Sequence, residues 1–392
     1  MLVRRRPAGN GRPCPNVIIF AYDVPRRSAP RVPHACWPAV PAARDSIDFQ
    51  LPLPDLRLER GGVVRKHRLH GWWWGPGGDT PQQPRRGVPT VLLIHALSGS
   101  ARAGGPGGWW EPLIGPGRVL DPAKYRLLCF TNLGSFYGSS APGTPGFPGA
   151  RSVTLTTLDQ ARSILLGLDA LKIRRVHLGI GGSLGGMILL SLAALDPRRC
   201  PRLLPLATTA AASAWVVGWN HVARSILRLD PGYPRDATRG LEVARQLAML
   251  TYRAEPGLEL EQSRRLSSAH RAHPYRVQTY LEHHGRKLHD RFTTRCYELQ
   301  LDAMDHHDLH RPLPGQKRPA LSRIRASTLV ASVDTDQLFP AAQSTMLARA
   351  LRRNGARVAR AVIRSPHGHD GFLLEWPQLA RLVGRALKLK PG

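Results

Sequence analysis

A mostly parallel α/β sheet, with helices on both faces and an inserted helical cap, is the architecture this chain predicts. Three observations predict it. Short apolar runs alternate with helical stretches from Val88 onward, the β-α rhythm of a parallel sheet. A serine set among glycines, Gly181-Gly182-Ser183-Leu184-Gly185, stands where one such run meets a helix. Residues 210–319 then pass in largely helical pattern with no convincing strand. That is too long for a loop and reads as a cap.

Residues 1–50 carry Pro and Arg in clusters (Arg4-Arg5-Arg6-Pro7, Pro25-Arg26-Arg27, Pro38 to Pro41) without sustained periodicity. They are expected to form a disordered or loosely packed basic extension. Their apolar stretch, Val17–Tyr22, is too short for a signal-peptide core. Leu51–His70 alternates enough (Leu53, Leu56, Leu58, Val63, Val64) for an antiparallel N-terminal hairpin, which Trp72-Trp73-Trp74 continues. A Gly/Pro/Gln loop follows from Gly75 to Arg86.

Thr90–Ile94 is the first buried strand and ends at His95-Ala96-Leu97-Ser98-Gly99; Arg126–Phe130 is the second. Leu158–Leu171 has helical spacing, Val176–Ile180 runs into the serine, and Met187–Leu195 suits a helix. Leu203–Thr208, Ser327–Ser332 and Arg357–Ile363 complete the strands, and a helix over 372–387 closes the chain. The expected organisation is 51–209 and 321–392 as two parts of one sheet domain, with 210–320 as the cap between them.

At 392 residues and 42% hydrophobic content the chain can bury a large core. No run of about 18 apolar residues suggests a membrane span. The nearest approach, Leu203–Trp219, is broken by Thr208, Thr209 and Ser213. Five cysteines (Cys14, Cys36, Cys129, Cys200, Cys296) lack C-x-x-C spacing, as expected of a reducing, cytoplasmic protein. The formal charge of +29 invites a nucleic-acid reading, but its arginines are dispersed and no DNA- or RNA-binding signature accompanies them. A positive field instead favours an anionic cosubstrate by steering.

The Gly-x-Ser-x-Gly spacing has a steric reason. A serine on a very tight strand-to-helix turn holds strained backbone angles, so positions −2 and +2 must be small. Its hydroxyl then stands above the sheet edge, with the N–H of Leu184 aimed where an oxyanion forms. An acid and a histidine follow in the order Ser…Asp…His, each just after a strand: Val333-Asp334-Thr335-Asp336, then Pro366-His367-Gly368-His369-Asp370. This order is that of the α/β-hydrolase fold. A serine needs a base to become nucleophilic, and the base needs an acid to fix its tautomer. Spacing alone does not choose between Asp334 and Asp336, or between His367 and His369. His367-x-His369-Asp370 lacks the following histidine of a dinuclear motif, and His283-His284, His306-His307 and His310 show no fixed ligand spacing. No metal is expected.

Together these segments resemble the homoserine O-acetyltransferases. The likeness runs through His95-Ala96-Leu97-Ser98-Gly99, Gly108-Trp109-Trp110, Leu113 to Gly117, Asn132-Leu133-Gly134 and Tyr137-Gly138-Ser139 to the serine motif. It resumes at Asn220 to Arg224, Gly240-Leu241 to Tyr252, Tyr280-Leu281, Asp290-Arg291-Phe292 and Ala303-Met304-Asp305. Asp336 to Pro340 and Gly368 to Leu373 end it, collinear from about residue 55 to 380.

The resemblance implies Ser183 as nucleophile, Asp336 as orienting acid and His369 as base, with the Leu97 and Leu184 N–H groups as oxyanion donors. It implies that Arg224 binds the acceptor's α-carboxylate and Asp370 its α-ammonium. The implied cosubstrate is an acyl-CoA, acetyl-CoA or succinyl-CoA, with no bound cofactor; the implied acceptor is homoserine or serine, and a homodimer is implied too. The family's Gly-Gly-Cys is Gly134-Ser135-Phe136 here, and its glutamate before the arginine is His221. Thr156-Thr157 stands where an acid often precedes the elbow strand. These departures touch the pocket rather than the triad and leave donor and acceptor open. A water-using esterase or thioesterase on the same fold is the alternative.

Overall fold

The computed structural model describes residues 46–149, 153–267 and 275–392. After β1 (Ser46–Pro52), a two-stranded ribbon of β2 (Leu56–Arg57) and β3 (Val63–Val64) turns the chain into β4 (Arg68–Trp74). β5 (Thr90–Ile94) and β6 (Arg126–Phe130) follow, then α1 (Thr157–Ala170), β7 (Leu178–Gly182), α2 (Leu184–Leu195) and β8 (Arg202–Leu206). The main sheet has eight strands, ordered β1-β4-β6-β5-β7-β8 and then β9 (Ser327–Val333) and β10 (Val358–Ile363). β1 and β4 are antiparallel to their neighbours, and every other pairing is parallel.

β5, β6 and β7 are buried at every position, and beyond Thr90 and Arg126 at the starts of the first two they read as unbroken apolar or small runs. β1 is the edge strand, with only Phe49 fully buried. It begins at Ser46, inside the span expected to be an extension. An edge strand that wets alternate residues carries too faint an apolar pattern to stand out. Residues 1–45, with Cys14, Cys36 and Val17–Tyr22, lie outside the described residues.

Between β8 and β9 run α3 (Ala214–Leu229), α4 (Thr238–Tyr252), α5 (Glu255–Glu261), α6 (Arg276–His289) and α7 (Thr294–Asp305). The two ends of this insertion are stitched together: Ala212 N–H donates to His307 O (2.8 Å) and Leu309 N–H to Ala210 O (2.9 Å). α8 (Ala341–Arg353) then packs on β9 and β10. The closing helix is two pieces, α9 (Gly371–Leu374) and α10 (Trp376–Leu387), because Pro377 in the first turn of α10 has no N–H with which to continue α9.

One buried ion pair pins the Gly75–Arg86 loop to the sheet. Arg126 donates to Asp79 through Nε (3.0 Å) and Nη2 (2.6 Å), lies 4.7 Å from the Trp73 ring centroid, and both charged side chains are buried. Asp79→Ala strands the guanidinium. It should cost about 3–5 kcal/mol of stability, read as a lower midpoint in urea unfolding.

Candidate active site

Ser183 joins β7 to α2 at φ +56° and ψ −126°, a strained conformation for a residue with a side chain. Its N–H donates to Leu206 O (2.9 Å), and Thr208 Oγ1 donates to Ser183 O (2.9 Å). The glycines are sterically obligatory. A Cβ on Gly181 would lie 2.2 Å from Gly185 O, and one on Gly185 would lie 2.2 Å from Ile94 O. The crowding extends further than the spacing implied: a Cβ on Gly182 would meet Phe372 Cε2 at 2.4 Å, and one on Gly186 would meet Thr208 Cγ2 at 2.6 Å.

Asp336 follows β9 and His369 follows β10, on the C-terminal sheet edge where Ser183 leaves β7. His369 Nδ1 donates to Asp336 Oδ2 (2.8 Å), while Asp336 Oδ1 accepts the N–H groups of Leu338 and Phe339, both at 2.9 Å. This pairing leaves the unprotonated Nε2 as the acceptor. Burial works against charge on the His369 imidazole. The adjacent Asp336 carboxylate, its hydrogen bond and Asp370 outweigh that and hold the ring above its ordinary 6.5. Tyr252, Phe339 and Phe372 pack around the ring at 5.8, 5.3 and 5.2 Å between centroids. Phe372 also lies against Gly182, so the histidine loop is packed on the residue before Ser183.

The two residues that competed in the sequence have other partners. Asp334 Oδ1 accepts from Ser365 N–H (3.0 Å) and so holds the histidine loop to β9. His367 faces Glu261 of α5 at 3.3 Å. The cap presses on this same loop through bare backbone. A Cβ on Gly368 (φ +65°) would lie 2.7 Å from Ala254 N, and one on Gly257 would lie 2.5 Å from Pro366 O.

The residue before Leu97 is held by His95. Asn132 N–H donates to His95 Nε2 (3.0 Å), which puts the ring proton on Nδ1, and Nδ1 donates to Ala96 O (2.7 Å). With both nitrogens committed and the ring buried, His95 is pushed down to about 4 and stays neutral. The N–H groups of Leu97 and Leu184 donate to no protein acceptor among the described residues. Nearby, the Asn132 Oδ1 and Ser135 Oγ atoms are buried with no partner among the described residues.

Arg224 is held by two carboxylates. Its Nη1 donates to Asp305 Oδ2 (2.7 Å) and its Nη2 to Asp302 Oδ1 (2.9 Å), while Asn220 Nδ2 donates to Asp305 Oδ1 (2.7 Å). This guanidinium ties α3 to α7 with its charge already answered. Two other arginines act electrostatically on Asp370, namely Arg245 and Arg253. Burial raises the Asp370 carboxyl, and His369, Arg245 and Arg253 only partly offset that. Arg253 pairs with Glu261. Arg245 has no carboxylate partner among the described residues: it is 9% exposed, its Nε and Nη1 are buried without a partner, and its guanidinium lies 5.2 Å from the Tyr252 ring centroid. The sequence reading missed it because one arginine among so many carries no mark of being buried. Its place on α4, seven residues before the tyrosine that packs on His369, was the available signal.

Among the described residues no three His, Cys, Asp or Glu side chains gather as a metal-holding group. Likewise, no helix there is long and apolar enough to cross a membrane.

A family model for the alpha/beta hydrolase fold matches residues 89–375. The homoserine O-acetyltransferase of Salinibacter ruber is 36% identical over 354 residues, 85% of this chain and 95% of that protein. A solved homoserine O-acetyltransferase from Bacillus anthracis superposes with a TM-score of 0.79 at 20% identity, covering 89% of this chain and 99% of that one. Esterase E22 superposes with a TM-score of 0.75 at 16% identity, covering 88% of this chain and 100% of that one. These two structural likenesses speak for the fold alone, and they place an acyltransferase and a hydrolase on it.

Proposed function

Since the chain belongs to the homoserine O-acetyltransferase family, within the α/β hydrolase fold, we propose that it moves the acetyl group of acetyl-CoA onto the hydroxyl of L-homoserine. Ser183 Oγ attacks the thioester carbonyl as His369 Nε2 takes its proton. The tetrahedral oxyanion accepts the N–H groups of Leu97 and Leu184. Collapse expels the CoA thiolate, which leaves with the proton returned by His369. Homoserine then enters, His369 deprotonates its hydroxyl, and a second tetrahedral intermediate releases O-acetylhomoserine and free Ser183.

The observation that carries the reading is the buried Arg245, which has no carboxylate hydrogen-bonded to it among the described residues and acts electrostatically on Asp370. An amino-acid acceptor is a zwitterion, and a cation together with the carboxylate that follows the base matches both of its ends. Water as acceptor needs neither. The carboxylate site therefore moves from Arg224 to Arg245, and Asp370 keeps the ammonium. Methionine biosynthesis, a cytoplasmic setting and a homodimer are part of the same proposal, by family.

A free-thiol assay crossing acetyl-CoA and succinyl-CoA with homoserine and serine tests it. Thiol release should be fastest with acetyl-CoA and homoserine; equal release without any amino acid would favour the esterase. The pH profile provides another check. His369 must be neutral to act and sits above its ordinary value, so kcat/KM should fall with acid from a higher pH than an unperturbed histidine gives. Asp336→Asn removes the raising charge and leaves burial, so it should move that limb to lower pH as well as depress kcat.

A further inference from the structure

Away from the triad, a cleft of about 740 Å³ runs along one face of α8, between that helix and the segments 209–213 and 318–322. A second hollow of about 560 Å³ shares Arg318 and Ser322 with it, making one continuous trough. Its cations are Lys317, Arg318, Arg323, Arg325, Arg349 and Arg353, and no Asp or Glu lines either part. The side chains of Lys317, Arg318, Arg349 and Arg353 make no hydrogen bond or ion pair among the described residues. Arg126, Arg199 and Arg224 pair with carboxylates; these four, lining two adjoining hollows, do not. The trough also has an apolar side, with Leu321, Leu347 and Met346, the last 66% exposed.

We propose that this trough binds a phosphorylated nucleotide, with its phosphates on the arginines and its base on the apolar side. Guanidinium groups suit phosphate bidentately, and a concave, partly apolar lining holds a flat ring. Two sources carry that chemistry: the 3′-phosphorylated nucleotide end of CoA, which rests on the acyl-CoA reading above, and a free adenine nucleotide. The trough's upper rim begins at Thr209, next to the Thr208 that donates to Ser183 O.

Titration calorimetry of the full chain with adenosine 3′,5′-bisphosphate tests the site. The variant is Arg349→Glu/Arg353→Glu, against the matched control Arg381→Glu/Arg385→Glu on exposed positions of α10. Saturable binding that the α8 variant weakens about tenfold or more, and the control barely changes, is the expected result. No saturable binding, or equal weakening by both variants, overturns the proposal. Acetyl-CoA and its 3′-dephospho form then separate the sources. If the α8 variant raises KM for acetyl-CoA alone at unchanged kcat, the ligand is the cosubstrate's own nucleotide. Lost bisphosphate binding with both KM values unchanged identifies a free nucleotide. If the acyl-CoA reading itself fails, the wild-type protein releases no thiol, yet bisphosphate binding can still be measured.

Discussion

Ser183→Ala should abolish CoA release from acetyl-CoA, in single turnover as well as at steady state. The acyl-enzyme has no other candidate oxygen on this turn, and the strained elbow exists to present that one hydroxyl. Loss of a nucleophile in a Ser-His-Asp constellation lowers kcat by about 10⁴-fold or more, with the residue due to binding and the oxyanion donors. Alanine also suits the fold, since the serine side chain makes no hydrogen bond among the described residues that packing would miss. Thiol release by a folded Ser183→Ala protein at the wild-type rate would remove the covalent mechanism.

Arg245→Gln should divide the two half-reactions. Acylation of Ser183 by acetyl-CoA, followed as a thiol burst, should survive because Arg245 touches neither the oxyanion donors nor the base directly. Acceptor KM should rise by about a hundredfold, the consequence of losing roughly 2–4 kcal/mol when one partner of a buried charge pair is removed. Arg224→Gln should behave differently. It leaves Asp305 without its cation and Asp302 with only Arg295 at 4.0 Å, so the expected effect is a less stable cap rather than a raised acceptor KM. The reverse outcome, with acceptor KM moved by Arg224→Gln and not by Arg245→Gln, would return the carboxylate site to Arg224.

The contrast between these arginines shows where sequence reading stops. Buried parallel strands announce themselves, and Thr90–Ile94 and Arg126–Phe130 emerge with the expected bounds because each is apolar on both faces after its first residue. The elbow was legible because its glycines answer to local sterics. The helix α8 was missed: its buried face is Ser344, Leu347, Ala348 and Leu351, a helical pattern diluted by two small residues among arginines. Arg224 and Arg245 differ only in what the fold brings near them. Asp302 and Asp305 lie far along the chain from Arg224, and no local pattern tells that they will neutralise it. Spacing could not tell Asp336 and His369 from Asp334 and His367; that choice came from the resemblance, and the structure adds the partners of each.

The bare-backbone contact between cap and histidine loop has a kinetic consequence. Gly368 and Gly257 let Ala254 and Pro366 come so close that no side chain fits between them, and Tyr252, on the same cap segment, packs on the imidazole. Raising the cap to admit or discharge a ligand would therefore disturb the base itself. An open path past that segment and an undisturbed base compete for the same few atoms.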